Sequence, residues 1–296
     1  MLFALRFDLR NPDFAGTAMA DRYAAALDMA GWADDLGCVS IAISEHHASP
    51  DGYLPSPLLM TAAMAARTTN VRFAIAALIA PFYDPIRLAE DAVVLDHLSR
   101  GRVDLIVGGG YVREEFAMYG VPMNERVARV TEVVSTLKGA FTGQPFEFRG
   151  RTVRITPPPF RPGGPAVWDF YRDEVIKLGR PDPGPSPTGQ NRIIALADDA
   201  DAGWAAMGSC FLHENNAYGA WQAQDDVASP YHSVSSGDTL RASGDYAVLR
   251  PEEYIAELRA ATFPFAFLHP LCGGRPIDLA WASLRLFERE VLPAFA

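Results

Sequence analysis

Cysteine is nearly absent from this chain: Cys38, Cys210 and Cys272 stand far apart, and none belongs to a CxxC pair. That excludes a disulfide framework and argues against a structural zinc site. Cys38, inside an apolar run, reads as a small core residue. Long hydrophobic runs are missing too, since no stretch approaches the roughly 18 to 20 residues that span a bilayer. The opening Met1-Leu2-Phe3-Ala4-Leu5-Arg6 lacks a basic leader followed by a long apolar segment, so no signal peptide is expected. A cytoplasmic location is the expectation. Positive charge is also in short supply, with 26 Lys and Arg against 36 Asp and Glu, a net charge of −10. Nucleic acid and membrane are therefore not expected partners, because each needs a basic face.

What is present is an ordinary globular composition, 49% hydrophobic and 21% charged over 296 residues, enough for one large α/β domain. The first 110 residues alternate short apolar runs with helix-period segments. Strands are predicted at 2–7, 38–43, 71–79 and 103–107. Helices are predicted at 17–36, 56–67 and from Pro85 to about Arg100. Repeats of this length imply right-handed crossovers and a parallel sheet, closed into a barrel or left open. A long helix is predicted at 124–141 and a hairpin around Arg149-Gly150. Ala166-Val167-Trp168 reads as a strand stub, followed at once by helix at 170–178 and a Pro/Gly-rich loop at 181–189. Further strands are predicted at 193–197 and 263–268, with helices at 251–261 and 278–291. Seven strands result, one β–α unit short of an eightfold barrel.

The densest chemistry is Glu45-His46-His47, where the run Cys38-Val39-Ser40-Ile41-Ala42-Ile43 ends. Ligands of α/β folds collect at the carboxyl ends of parallel strands, which makes this tripeptide the leading candidate site; its other reading is a helix N-terminus or loop with solvated histidines. Gly108-Gly109-Gly110-Tyr111 also follows a strand directly. It reads either as a phosphate-approaching turn or as a plain βα turn. Ala76 and Ala77 are small strand residues that admit a flat ring or simply pack. His269 follows the last strand and is a second-rank candidate with His47. Adjacent histidines on extended chain point to opposite sides, so no metal site is expected from them.

Several strings together resemble the bacterial luciferase-like family of flavin-dependent oxidoreductases. They are Ser44-Glu45-His46-His47, Leu54-Pro55-Ser56-Pro57-Leu58, Ala76-Ala77-Leu78-Ile79-Ala80-Pro81 and Asp84-Pro85-Ile86-Arg87-Leu88-Ala89-Glu90-Asp91. Leu95-Asp96-His97-Leu98-Ser99-Arg100-Gly101-Arg102, Gly110-Tyr111 and Glu114-Glu115-Phe116 complete the set. The resemblance is strong from Leu2 to Trp168 and looser beyond. It implies a (β/α)8 TIM-barrel fold over a single domain, 1–296, with an insertion at 111–163; the segment at 222–249, rich in Ser, Asp and Gly with weak periodicity, reads as loop-rich. The resemblance also implies a monooxygenase or oxidoreductase using reduced FMN or the deazaflavin coenzyme F-420 on a small organic substrate, a homodimer, and a separate flavin reductase as partner. On this pattern His46 is the active-site acid/base, and Glu45 orients it or the ring. Ala76-Ala77 marks the non-prolyl cis peptide beneath the ring, and Gly108, Gly109, Gly110 and Tyr111 belong to the cofactor site.

Two departures stand out. Many relatives hold the flavin phosphate with an arginine where this chain has Gly109, so a bidentate charge partner is lost. After Trp168 the family's Gly-Gly-Ser-type loop, helix and strand are missing, and the chain passes straight to Asp169. Either the protein has lost the unit or this sequence lacks a segment, the second being favoured. The rival functional readings are a degenerate barrel that binds flavin or a partner protein without catalysis, and a metal-dependent hydrolase.

Overall fold

The computed structural model describes residues 1–162, 192–223 and 231–295. The elements predicted at 166–168, 170–178 and 181–189, and the junction of Trp168 with Asp169, lie outside the described residues.

Strands β1 (Leu2–Phe7), β2 (Ser40–Ile43), β3 (Arg72–Ile79) and β4 (Val103–Gly108) alternate with helices α1 (Met19–Asp35), α2 (Pro57–Ala65) and α3 (Pro85–Ser99). Helices α4 (Arg113–Tyr119) and α5 (Arg126–Ala140) lead to an antiparallel hairpin, β5 (Phe146–Phe148) and β6 (Arg151–Val153). Its two turn residues, Arg149 and Gly150, both have positive φ (48° and 71°), as tight two-residue turns between twisted strands require. The C-terminal part comprises β7 (Ile193–Leu196), α6 (Ala200–Gln222), α7 (Gly237–Ser243), β8 (Tyr246–Leu249), α8 (Pro251–Ala260), β9 (Phe265–Leu268) and α9 (Ile277–Leu286).

Seven strands form one sheet in the order β4-β3-β2-β1-β9-β7-β8, with every pairing parallel. The run 4-3-2-1-9 follows barrel logic, each strand beside its predecessor and the last beside the first. Among the described residues the sheet ends at β4 on one side and β8 on the other, and closure is not detected. The segment expected to be loop-rich holds both α7 and β8. The strand is a four-residue apolar run flanked by Ser, Asp and Gly, and it was too short to register as a period.

Local chemistry explains the helix limits. Asp84 caps α3 by accepting a hydrogen bond from the Arg87 N–H, with Pro85 at the first helical position,. Arg100 ends the helix in the left-handed conformation. Arg102 then fans into the carbonyls of Ala65, Thr68, Val71 and Ser99, tying α2 and α3 to the start of β3.

Side chains on a strand alternate faces, and this positions the site. On β1 the residues Phe3, Leu5 and Phe7 are buried with Ala26, Met29 and Ala33 of α1, which leaves Ala4 and Arg6 on the opposite, inner face. The register sets Arg6 beside Ala42 of β2 and Ala4 beside Phe267 of β9. A cation is therefore set near the carboxyl end of the central strand, with the small Ala42 beside it.

Candidate active site

At the end of β2 the chain delivers Ser44, Glu45, His46 and His47 in extended form, and the two imidazoles diverge. His46 Nδ1 lies 2.7 Å from Glu115 Oε1, and the same oxygen accepts the His47 backbone N–H at 2.8 Å. Glu115 comes from α4 and is fully buried. A carboxylate can only accept, so Nδ1 carries the proton and Nε2 is left with its lone pair. The Tyr111 hydroxyl sits 3.3 Å from that Nε2. Trp221 lies against the imidazole at 4.3 Å between centroids, tilted by 34°, and Tyr53 meets it edge-on at 4.9 Å. Burial pulls the His46 pKa down, and the Glu115 carboxylate only partly offsets it. The ring is thus neutral near pH 7 and able to take a proton at Nε2.

His47 turns the other way. Its Nε2 lies 2.9 Å from Glu45 Oε1 and its Nδ1 3.1 Å from the Tyr119 hydroxyl. Glu45, expected to orient His46 or the ring, instead holds His47, the Ile79 N–H (2.7 Å) and the Tyr83 hydroxyl (2.6 Å). The carboxylate that addresses His46 is Glu115. Glu45 braces β3, and β3 carries the cis peptide between Ala76 and Ala77.

A cavity of about 360 Å³ opens here. Glu45, His46, Ala76, Ala77, Gly108, Gly110 and Tyr111 all line it, joined by Arg6, Tyr53 and Tyr218. Its volume falls at the lower end of the range for small-molecule sites. The wall made by Ala76, Ala77, Gly108 and Gly110 carries nothing beyond Cβ. A Cβ on Gly108 would come within 2.9 Å of Ala77 Cβ, and one on Gly110 within 2.8 Å of Ile79 Cγ2. This bare surface beside His46 fits a flat ring. Gly109, His47 and His269 are not among the lining residues. An added Cβ on Gly109 would meet only Val130 Cγ2, at an ordinary 3.8 Å, so local packing does not demand glycine there.

His269, expected on the same face as His46, is sealed beneath the cavity floor. It lies 3.5 Å from both Asp8 and Glu214, with none of the three side chains exposed. Burial alone would discharge the ring, but the two carboxylates outweigh it and raise its pKa. The same pairing holds Asp8 and Glu214 below the usual carboxylate range. Donor atoms of Glu214, His269 and Cys272 approach within 4.8 Å of one another. The charge of Glu214 is already opposed by Arg6 at 3.4 Å and by the imidazolium. Arg10, also unexposed, pairs with Asp51 at 2.5 Å and lies 4.6 to 4.9 Å from the rings of Tyr53, Tyr218 and Trp221.

Sequence reasoning missed several members of the site, Tyr53, Trp221 and Tyr231 among them. Glu115 was read only as part of a recognition string, Arg6 as a strand residue, and Tyr218 not at all. The signal for Arg6 was available, since a lone charge alternates with Leu5 and Phe7 on a buried strand.

Comparison with known proteins decides the family. The sequence profile described as Luciferase-like monooxygenase matches residues 5–169. The chain belongs to this family. It is 35% identical over 144 residues to the uncharacterized protein y4wF of Sinorhizobium fredii, a match covering 49% of this chain and 42% of that one. It is 30% identical over 158 residues to the oxygenase component of the flavin-dependent trigonelline monooxygenase of Acinetobacter baylyi, covering 51% and 44%. The matched parts thus span less than half the length of these curated relatives. The fold is similar to that of the oxygenating constituent of 3,6-diketocamphane monooxygenase from Pseudomonas putida, solved in complex with FMN. That likeness has a TM-score of 0.68 at 19% identity and covers 99% of this chain and 98% of the other. The luciferase-like barrel type expected from the resemblance is therefore the fold of this α/β chain. Among the described residues no helix is long and apolar enough to cross a membrane.

Proposed function

We propose that this luciferase-like protein is a flavin-dependent oxidoreductase, a monooxygenase acting on a small organic substrate, with His46 as its proton-handling residue. One observation carries the reading: His46 Nε2 and the Tyr111 hydroxyl share a cavity with a wall stripped of side chains. Ala76, Ala77, Gly108 and Gly110 would hold the flat ring of reduced FMN or of the deazaflavin coenzyme. The bound coenzyme would supply the hydride, electron or dioxygen chemistry that amino-acid side chains cannot.

The chain's own residues do the rest. His46 takes a proton at Nε2 and returns it, Tyr111 shares that hydrogen bond, and Glu115 fixes the tautomer and steadies the imidazolium while it exists. Glu45 holds β3 in place against His47 and Tyr83. The aromatic shell of Tyr53, Tyr218 and Trp221 keeps water from the ring nitrogen. A separate reductase as partner accords with the oxygenase-component name of one relative, and the homodimer of the family resemblance belongs to the same proposal.

The test is to titrate the purified protein with reduced FMN and with reduced deazaflavin, following coenzyme fluorescence and melting temperature. Saturable binding of one of them is expected, and no response to either at near-millimolar concentration refutes the reading. With the responding coenzyme, His46→Ala should keep binding but cut turnover by about a hundredfold or more, the usual weight of a general acid/base. Unchanged turnover removes His46 from the mechanism and favours a binding-only barrel.

A further inference from the structure

The cavity has two unlike walls. Toward β3 and β4 it presents Ala76, Ala77, Gly108 and Gly110 beside Ile79; on the other side it is lined by Arg6, Tyr53, Tyr218, Tyr231 and Phe267. We propose that the second wall is the substrate subsite and that Arg6 selects a planar ring bearing an ionised carboxylate. This rests on reading the bare wall as the place of the coenzyme ring.

Arg6 is the only Lys or Arg among the described residues lining the cavity. Its side chain keeps 14% exposure there, while that of Arg10 behind it has none. A guanidinium carries five N–H donors in one plane. Among the described contacts, one goes to the Tyr218 hydroxyl at 2.6 Å. The ion pair with Glu214, at 3.4 Å, is longer than a good charge-assisted hydrogen bond. Glu214 in turn divides its charge between Arg6, His269 and the Cys272 thiol. Arg6 is thus held in position without being used up. Ala42, its register neighbour, lines the cavity with only a methyl, and a carboxylate there could meet the fork with two parallel bonds,.

The rest of the wall is built for a flat body. Tyr218 and Tyr231 stack at 4.8 Å and 22°. The Tyr53 and Tyr218 hydroxyls are 2.7 Å apart, which locks both phenols and lowers the entropy cost of packing a ring on them. A molecule anchored by its carboxylate on β1 points its far end toward His46 and the bare wall.

The experiment uses benzoate and its uncharged isostere benzamide as probes, measured by calorimetry on the full chain with FMN binding followed in the same preparations. Benzoate should bind wild-type protein about tenfold or more tighter than benzamide. Arg6→Met should bring benzoate down to the benzamide level while FMN still binds. Because Arg6→Met strips a partner from buried Glu214, Arg6→Lys is measured beside it. Lysine keeps the charge but loses the fork, so it should fall between the two. Equal binding of the probes to wild type, or undiminished benzoate binding by both variants, overturns the proposal. If FMN binds normally in that case, the flavin reading stands without it. Absence of FMN binding from wild type brings down the flavin reading itself.

Discussion

Replacing His269 by glutamine tests the buried charge layer under the cavity. The imidazolium stands 3.5 Å from Asp8 and 3.5 Å from Glu214, all three without solvent contact. Removing the cation leaves two carboxylates facing each other across a neutral amide. Breaking a buried pair by deleting one partner costs about 3–5 kcal/mol, because the remaining charge stays uncompensated. Arg6 and Arg10, each 3.4 Å from one of these carboxylates, keep the loss toward the lower figure. For a chain of this size each kcal/mol moves the melting temperature by roughly 2 °C, so a fall of about 6–10 °C is expected. The pH dependence has a definite sign. His269 has a raised native pKa, so its contribution is full below the unfolded value near 6.5 and is lost as pH rises through the native one. Asp8 and Glu214 have lowered native values. Their contribution is present above the unfolded carboxylate range and is lost as pH falls through the native values. Differential scanning calorimetry of wild type and His269→Gln should therefore show a gap that narrows as pH rises above neutrality. A variant melting within about 2 °C of wild type near neutral pH, a change worth only about 1 kcal/mol, would refute the reasoning. So would a gap that widens with pH.

Two further perturbations address the cavity. Glu115→Gln keeps an acceptor for His46 Nδ1 but removes the charge that favours the imidazolium, so the His46 titration should move to lower pH, read from imidazole NMR signals; an unmoved or upward-moving signal would count against the pairing. Gly108→Ala brings a methyl to 2.9 Å from Ala77 Cβ, closer than such atoms pack, so the wall of Ala77 and Gly108 must shift. FMN affinity should fall by about tenfold or more, a loss of some 1.4 kcal/mol, with little change in fold by circular dichroism, and undiminished affinity would remove this wall from the coenzyme site.

The sequence disclosed the framework where physics is local. Short apolar runs at 2–7, 38–43, 71–79 and 103–107 marked β1 to β4, because a strand covered on both faces need not alternate. Divergence of His46 from His47 followed from strand geometry alone. Glu115 was hidden for the opposite reason. It lies 69 residues from His46, on a seven-residue helix with too few turns to announce a period, and nothing in spacing reveals which carboxylate meets which imidazole. His269 followed a strand, as a site residue should, yet residues that follow a strand can turn under the floor as well as over it. The short β8 was lost among polar neighbours, since its four residues, Tyr246–Leu249, are all apolar or aromatic and show no alternation.

Helix α4 deserves a last consequence. Glu115 and Tyr119, both on it, grip His46 and His47 respectively, and Tyr111 just before it reaches His46 as well. The two imidazoles thus share one helix as support. Displacing this helix would part His46 from Glu115, while His47 would keep its bond to Glu45.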